Sequence, residues 1–212
     1  MKRSSEGLRN VVALGFVSFF TDISSEMCFS VLPTFIIGLP MTTRAFLGFI
    51  EGLAEGVSYS FRAVSGVFSD KFRRRKVIVL IGYALSNVVK PLFSVAQTAV
   101  DALVIRVGDR VGKAVRTSPR DALLSESVSE KKIGTAFGLH RTLDQTGAIL
   151  GPVLASSLML FLGFTVRDIF WLSFIPGFVA LVILLAFVKE RIGKPAGKVT
   201  VLGGIRSVLK LS

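Results

Sequence analysis

Residues Ile169–Val188, IFWLSFIPGFVALVILLAFV, form the clearest apolar stretch of this chain and contain no charged residue. A helix of about 20 such residues crosses the hydrocarbon core of a bilayer, which is roughly 30 Å thick. Two more stretches are nearly as apolar, because Gln145–Val166 has no charge and Val77–Thr98 has only Lys90. The sequence therefore predicts an all-α, polytopic membrane protein.

Three more spans complete the prediction, although each carries charged residues: Asn10–Thr43, Ala45–Ser69 and Ala99 to about Asp121. The last span is recognised mainly because the spans before and after it must be connected by a crossing in the opposite direction. Six transmembrane helices follow from this count. We divide the chain into a cytoplasmic tail (1–9), a six-helix bundle (10–190) and a cytoplasmic linker (191–212).

The composition fits a membrane protein better than a soluble one. Of the 212 residues, 51% are hydrophobic and 19% are charged, whereas soluble domains carry about 25% charged residues. The net charge is +12. Its basic residues alternate with apolar runs along the chain, so we expect them to contact lipid headgroups rather than nucleic acid. The single Cys28 and the single His140 exclude an intramolecular disulfide and a histidine-rich metal site, and we expect neither a metal nor a cofactor.

The basic residues of the predicted loops give an orientation. Lys and Arg are concentrated after helices two, four and six, at positions 71–76, 116–132 and 189–198. The intervening turns near Pro40, Thr98 and Phe164 hold few bases. Cytoplasmic loops carry the excess of Lys and Arg, so both termini are predicted to lie in the cytoplasm of a multi-pass plasma-membrane protein.

Charged residues recur at helical spacing on four of the six predicted helices: Asp22 and Glu26 on helix one, Glu51, Glu55 and Arg62 on helix two, Arg106, Arg110 and Lys113 on helix four, and His140, Arg141 and Asp144 on helix five. Residues three or four apart share one face of a helix. A charge that faces hydrocarbon is costly. Helices one, two, four and five are therefore predicted to line a polar interior, and helices three and six to face lipid.

Seven of these charged residues are candidates for proton coupling or substrate binding: Asp22, Glu26, Glu51, Glu55, Arg106, Arg110 and Asp144. Asp22 and Glu51 lie deepest from the loop ends and are the first choices for proton carriers. Arg106 and Arg110 are the first choices for binding an anionic substrate group, or for pairing with those acids. The alternative is that all of them form structural ion pairs, and the sequence leaves both interpretations open.

Helix five also holds a histidine and a set of small residues. His140 is a possible proton relay, but its position near the cytoplasmic start of the helix favours an interfacial role. Gly147 and Gly151 have the spacing at which small residues allow close helix packing, and Pro152 is able to kink the helix. Gly108 and Gly112 repeat that spacing on helix four.

The segment between the second and third spans reads GVFSDKFRRRK, from Gly66 to Lys76. It resembles the signature loop of the major facilitator superfamily, which has a Gly, three residues, an Asp, a base and a short basic run. Arg106 with Gly112 resembles the Arg/Gly motif of helix four in that family, and Gly147–Pro152 resembles the helix-five motif of its antiporters. Arg73 and Arg110 stand where these motifs often have Gly. The stretch GDRVGKAVRTSPRDALLSES, which begins at Gly108, resembles a branch of prokaryotic permeases.

This resemblance implies one half of the major facilitator fold, in which helices one, two, four and five line the cavity. It also implies a secondary transporter that works by alternating access. By analogy, a charge latch would join Gly66, Asp70 and Arg74 of the loop to the cytoplasmic end of helix four. In that latch Asp70 would pair with Arg116 or Arg120 and stabilise the outward-facing state.

Transporters of this family have two six-helix halves, with the substrate site between them. We therefore expect this chain to be the amino-terminal half, whose partner is covalent in a longer protein, a separate subunit or a second copy. The predicted partners are membrane lipid, a small-molecule substrate and that second half. The alternative is a truncated, non-transporting remnant or a membrane interaction module.

Proton coupling is expected, but the substrate stays open between an anionic or amphiphilic solute and the cationic drugs of drug-type antiporters. The chain has no GxxxxGK[ST] loop, so ATP hydrolysis by this chain is not expected. An intramembrane enzyme is not favoured either, because no nucleophile with a suitably spaced base is evident in the sequence.

Overall fold

The structure is a computed structural model that describes the backbone of residues 2–40, 42–72 and 74–190, and their side chains except at 2–5, 63–64 and 67–72. The described residues form seven α-helices: α1 (Lys2–Ile37), α2 (Arg44–Phe72), α3 (Arg75–Val89), α4 (Ala99–Ser127), α5 (Ile133–Leu162), α6 (Val166–Leu172) and α7 (Phe174–Phe187). Short 3-10 helices, Lys90–Val95 and Glu130–Lys132, follow α3 and α4. This part of the chain contains no β-strand, so the all-α prediction is confirmed.

Several predicted boundaries were wrong. Helix five begins at Ile133, well before the uncharged run Gln145–Val166 that marked it, and helix four continues to Ser127 rather than ending near Asp121. In both cases polar and charged residues face the protein interior, so the hydropathy of the sequence falls before the helix ends. The predicted sixth helix consists of α6 and α7, which meet at Ser173.

The first helix extends into the segment that the sequence assigned to a cytoplasmic tail. Helix α1 begins at Lys2 and ends at Ile37, before the Gly38–Pro40 turn. Residues 191–212, the predicted linker, lie outside the described residues. The division into tail, bundle and linker stays a prediction.

Local sequence accounts for several helix ends. Thr98 and Asp101 form a capping box at the start of α4, in which each side chain accepts a hydrogen bond from the other residue's backbone N–H. Thr165 and Asp168 form the same arrangement at the start of α6. These bonds satisfy N–H groups that a helix start leaves unpaired. Helix α5 ends at Gly163, whose φ of 69° lies in the left-handed region that favours glycine.

Glycine allows two helix pairs to approach backbone to backbone. On α5, a Cβ at Gly147 would collide with the backbone of Phe19, and one at Gly151 would lie 2.8 Å from the carbonyl oxygen of Ile23 on α1. On α4, a Cβ at Gly112 would lie 2.9 Å from the carbonyl oxygen of Gly82 on α3. The small-residue spacing predicted from sequence thus marks the α1–α5 and α3–α4 contacts.

Two apolar clusters occupy opposite ends of the bundle. The first cluster joins the starts of α1, α3 and α5 to the ends of α4 and α7, with Leu14, Val79 and Leu184 fully buried. The second joins the end of α1 to the starts of α2, α4 and α6, with Ile36 and Phe170 fully buried. Most of the buried charged residues lie in the middle layer between them.

Four helical stretches of the described chain are long and apolar enough to span a membrane: Glu6–Ile37, Arg75–Val95, Glu130–Leu162 and Val166–Phe187. Helices α2 and α4 have 29 residues each, which is sufficient length for a crossing, but their charged residues make them less apolar. The count of six transmembrane helices therefore stays a prediction.

The two helices predicted to face lipid carry continuous apolar stripes on their outer surfaces. On α3 and the 3-10 helix after it, the exposed residues are Val77, Ile81, Leu85, Val88, Leu92 and Val95. On α6 and α7 the exposed residues include Trp171, Ile175, Phe178, Val182 and Leu185. Spacings of three and four residues give each helix one apolar face, which is the surface expected against lipid.

Candidate functional site

A polar cavity of about 420 Å³ opens in the middle layer between α1, α2, α4 and α5. It is bordered by eleven charged residues: the acids Asp22, Glu26, Asp109, Asp121 and Asp144, and the bases Arg62, Arg110, Lys113, Arg116, Arg120 and Arg141. Five of the eleven come from α1, α2 and α5 and the other six from α4. The four helices that carry intramembrane charge in the sequence thus surround one cavity.

Two ion pairs join α2 to α4 beside this cavity. A guanidinium nitrogen of Arg106 lies 2.7 Å from a carboxylate oxygen of Glu51, and Nε of Arg110 lies 2.9 Å from Glu55. The ring of Phe29 on α1 packs under both guanidinium groups, 3.8 Å from that of Arg106 and 5.5 Å from that of Arg110. The two bases expected to meet either an anionic substrate or the acids therefore contact the acids of α2.

Asp109 is a functional candidate that was not among the predicted site residues. Its carboxylate is buried and accepts a hydrogen bond from the hydroxyl of Ser86 on α3. Guanidinium nitrogens of Arg106 and Arg110 each lie 3.9 Å from its other oxygen. Asp109 thus connects the α2–α4 ion pairs to α3. Its position within the helix-four motif is the signal that marked it.

The carboxyl groups of Asp22 on α1 and Asp144 on α5 lie within hydrogen-bonding distance of each other. Asp144 also accepts hydrogen bonds from the hydroxyl of Ser18, at 2.8 Å, and from Arg141, at 2.9 Å. Two carboxyl groups form a hydrogen bond only when one of them carries a proton. The structure therefore brings together two predicted site residues that are far apart in sequence.

The bases proposed for the charge latch differ in their surroundings. Arg120 donates to Asp121, at 2.9 Å, and to Ser18. Arg116 is buried and its guanidinium lies 4.4 Å from the centre of the Tyr83 ring. Arg74 is exposed, and Gly66 packs against Ser118 on α4. The side chain of Asp70 lies outside the described residues, so the latch stays a prediction.

His140 is buried, with only 4% of its surface exposed, so the interfacial role that the sequence favoured was wrong. Its Nε2 atom has no hydrogen-bond partner among the described residues. The charged side chains that act on it electrostatically come from α4 and α5. The sequence failed here because a helix that begins at Ile133 carries position 140 into the bundle.

Lys90 is a second buried polar residue whose position the sequence did not predict. Its side chain is fully buried at the end of α3, and its ammonium group donates to the hydroxyls of Ser24 and Ser25 on α1. Ser24 in turn donates to the carbonyl oxygen of Ser173 between α6 and α7. Lys90 therefore lies inside the bundle and not on the lipid face of its helix.

The described residues contain no group of three or more His, Cys, Asp and Glu side chains placed to hold a metal ion. Cys28 is a buried free thiol. The chemistry that this site offers is that of charges and transferable protons.

Sequence comparison relates the chain to proteins from several prokaryotes. It is 37% identical over 202 residues to the uncharacterized MFS-type transporter MJ1317 of Methanocaldococcus jannaschii, covering 95% of this chain and 50% of that protein. It is 31% identical to the uncharacterized protein Rv2265 of Mycobacterium tuberculosis, covering 88% and 45%. It is 26% identical to the multidrug resistance protein MdtG of Proteus mirabilis, covering 89% and 47%. The chain spans about half the length of the curated relatives that it matches.

Solved structures share the fold at low sequence identity. The peptide transporter POT in complex with sulfate superposes with a TM-score of 0.75 at 14% identity, over 96% of this chain and 43% of that one. The human organic anion transporter MFSD10 gives 0.69 at 13% identity, over 87% and 48%. The sequence model for the Major Facilitator Superfamily matches residues 14–210. With almost the whole chain matched and the charged helices gathered around one cavity, this chain belongs to the Major Facilitator Superfamily.

Proposed function

We propose that this chain is the amino-terminal half of a secondary active transporter, which moves a small solute across the plasma membrane by alternating access. The support is family membership, together with a polar cavity between the four helices that carry most of the interior charge. Half of the relatives' length is absent from this sequence, so a second six-helix half would complete the cavity. That half would be covalently attached, a separate subunit or a second copy of this chain.

We further propose that the end of the bundle holding the first apolar cluster faces the cytoplasm. The bases Arg75, Lys76, Lys131, Lys132 and Lys189 lie at this end, as does Arg74. The contacts that hold this end together include an ion pair between Arg75 and Glu126 and a hydrogen bond from the backbone N–H of Lys76 to Glu190. An excess of bases on the cytoplasmic side is the general rule for membrane proteins.

The observation that carries proton coupling is the contact between Asp22 and Asp144. While a proton bridges the two carboxyl groups, α1 and α5 are held together at the cavity wall. Loss of that proton leaves two carboxylates in contact, and their repulsion in a medium of low dielectric constant is strong. Protonation of this pair would therefore change the relative stability of two arrangements of α1 and α5, which is what coupling requires. Glu51, the other first choice, is instead engaged with Arg106.

Transport in sealed vesicles tests this proposal. The chain, together with any second half that its reading frame encodes, would be reconstituted and offered pools of anionic and cationic solutes. A pH gradient should drive accumulation by the unchanged protein. Asp22→Asn and Asp144→Asn should abolish that accumulation, while solute exchange without a gradient continues, because the alternating movement itself remains.

The control is Glu130→Gln, which removes an exposed carboxylate outside the cavity and leaves the Asp22–Asp144 pair untouched. Accumulation should survive this change. Full accumulation by Asp22→Asn would disprove the role of the pair. Absence of any flux, from the chain alone or with its second half, would favour the alternative of a non-transporting remnant.

A further inference from the structure

Three bases on the α2–α4 side of the cavity have no carboxylate within ion-pair distance among the described residues: Arg62, Lys113 and Arg116. All three border the cavity. Arg62 packs on the ring of Tyr59 at 5.1 Å and its Nε atom has no hydrogen-bond partner in the described part of the chain. Lys113 is exposed to the cavity. The spacing of three residues puts Lys113 and Arg116 on the same face of α4.

Arg116 is the most unusual of the three bases, because only 4% of its surface is exposed. The face of its guanidinium is covered by Tyr83, at 4.4 Å from the ring centre. Its Nη1 atom is buried and has no hydrogen-bond partner within the described residues. A buried cation without a hydrogen-bonded counter-charge is costly. Such a residue is therefore expected at a site where a bound anion supplies the missing counter-charge.

The acids around the same cavity are largely engaged with other protein groups. Asp109 accepts from Ser86, Asp121 accepts from Arg120, and Asp144 accepts from Ser18 and Arg141 while contacting Asp22. In the described part of the chain, only Glu26 borders the cavity as an acid without such a partner. The cavity lining holds six bases and five acids, so the cavity has a net positive charge to offer a ligand.

The bases that helix spacing first suggested for this role are less suitable. Arg106 and Arg110 are held by Glu51 and Glu55 and are stacked over Phe29. An anion would have to displace a carboxylate from each of them. Among the described residues, Arg116 and Lys113 have no carboxylate within ion-pair distance, although Asp22 acts electrostatically on both.

We propose that Arg116, Lys113 and Arg62 form a subsite for the anionic group of the transported solute, a carboxylate or a phosphate. This inference rests on the proposed function, since it takes the cavity to be the transport path. The planar guanidinium of Arg116 is suited to paired hydrogen bonds with two oxygens of such a group. The ammonium of Lys113 adds a mobile charge at the cavity surface.

Binding measured separately from transport tests the subsite. The purified protein, with any second half that its reading frame encodes, would be titrated with succinate, inorganic phosphate and choline while its thermal unfolding is followed. Succinate or phosphate should stabilise the protein and choline should not. Arg116→Gln should weaken anion binding roughly 10- to 100-fold, the range for loss of hydrogen bonds to a charged group. Arg116→Lys should recover part of the affinity.

Two further variants keep the test decisive if Arg116→Gln does not fold. Lys113→Gln and Arg62→Gln alter less buried bases of the same subsite and should each weaken anion binding. Arg44→Gln removes an exposed base outside the cavity and should leave binding unchanged. Stabilisation by choline alone, no stabilisation by either anion, or equal anion affinity in all of these variants would overturn the proposal.

The outcomes also separate this subsite from the transport proposal and from the charge latch. If Arg116→Gln and Lys113→Gln both leave the proton-driven flux of a solute unaltered, the transporter proposal stands and the subsite is rejected. If Arg116 served only in the latch, Arg116→Gln would reduce flux while anion affinity stayed at the level of the unchanged protein, as expected for Asp70→Asn.

Discussion

At the scale of single residues, the contact between Arg106 and Glu51 joins α2 to α4. The guanidinium of Arg106 is 5% exposed whereas the carboxylate of Glu51 is 39% exposed. The two partners therefore differ in what their removal leaves behind. Loss of Arg106 leaves a carboxylate that water reaches, but loss of Glu51 leaves a buried cation whose nearest remaining carboxylate is that of Asp109, at 3.9 Å.

We predict that Glu51→Gln lowers the thermal stability of the detergent-solubilised protein and that the Glu51→Gln, Arg106→Gln double variant loses less than the sum of the two single losses. The coupling free energy should be about 1 kcal/mol, since one partner is partly solvated. Thermal unfolding of the four proteins measures it. Strictly additive losses would mean that the pair contributes nothing, and Glu130→Gln, at an exposed site, is the neutral control.

Lys90 illustrates a residue whose burial hydropathy alone does not predict. It interrupts an apolar run, and a lysine in such a run could extend towards a membrane surface. Instead its ammonium group meets the hydroxyls of Ser24 and Ser25 inside the bundle. The rotation of α3 about its axis places its apolar stripe outward and Lys90 inward, and the sequence of α3 fixes that rotation only once α1 and α4 are packed beside it.

At the scale of helices, close backbone contact between α1 and α5 brings Asp22 beside Asp144. Gly147 lies one turn beyond Asp144, directly against the backbone of Phe19. Any side chain at position 147 would push the two helices apart, because backbone atoms cannot move aside as a flexible side chain can. The small residue at this position therefore supports both the packing and the carboxyl contact.

We predict that Gly147→Ala destabilises the protein by about 1–3 kcal/mol, the usual cost of overpacking. It should also impair proton-driven accumulation, because it separates α1 from α5. The control is Gly138→Ala in the same helix, where a Cβ would meet no atom within 4 Å. That change should be neutral, or stabilising by up to about 1 kcal/mol through helix propensity. Heating followed by size-exclusion chromatography compares the two, and equal stability would contradict the close-contact argument.

At the scale of the whole molecule, the bundle consists of two apolar ends and a charged middle. The apolar clusters fix the helices relative to one another, and the middle layer holds charges that would be costly in lipid. Helix α4 extends through all three layers, from the capping box at Thr98 to the end of the first cluster. A change in the position of α4 would therefore affect the cavity and the end that holds the first apolar cluster together.

We predict that Asp70→Asn cripples transport and leaves membrane insertion and expression intact, because it removes the acid of the proposed latch without altering an apolar span. Flux in vesicles and the yield of folded protein are the two measurements. Glu130→Gln, which neutralises an exposed acid at the same end of the bundle, should retain flux. Normal transport by Asp70→Asn would reject the latch.

The sequence by itself determined the features that are local along the chain. Apolar runs gave the membrane-spanning class, the loop from Gly66 to Lys76 gave the family, and helical spacing identified α1, α2, α4 and α5 as the polar helices. Helix length was harder to predict, as the start of α5 at Ile133 shows, because polar residues that face the interior lower the hydropathy as much as loop residues do.

Which charges meet depends on how the helices pack against one another. Asp22 and Asp144 are 122 positions apart, and nothing in either helix alone determines that they touch. Glu51 pairs with Arg106, and Arg116 has no carboxylate partner among the described residues, because of how α2 and α4 are rotated and aligned against each other. The rotation and the alignment of a helix depend on the packing of all the helices together, whereas hydropathy and sequence motifs depend on neighbours in the chain.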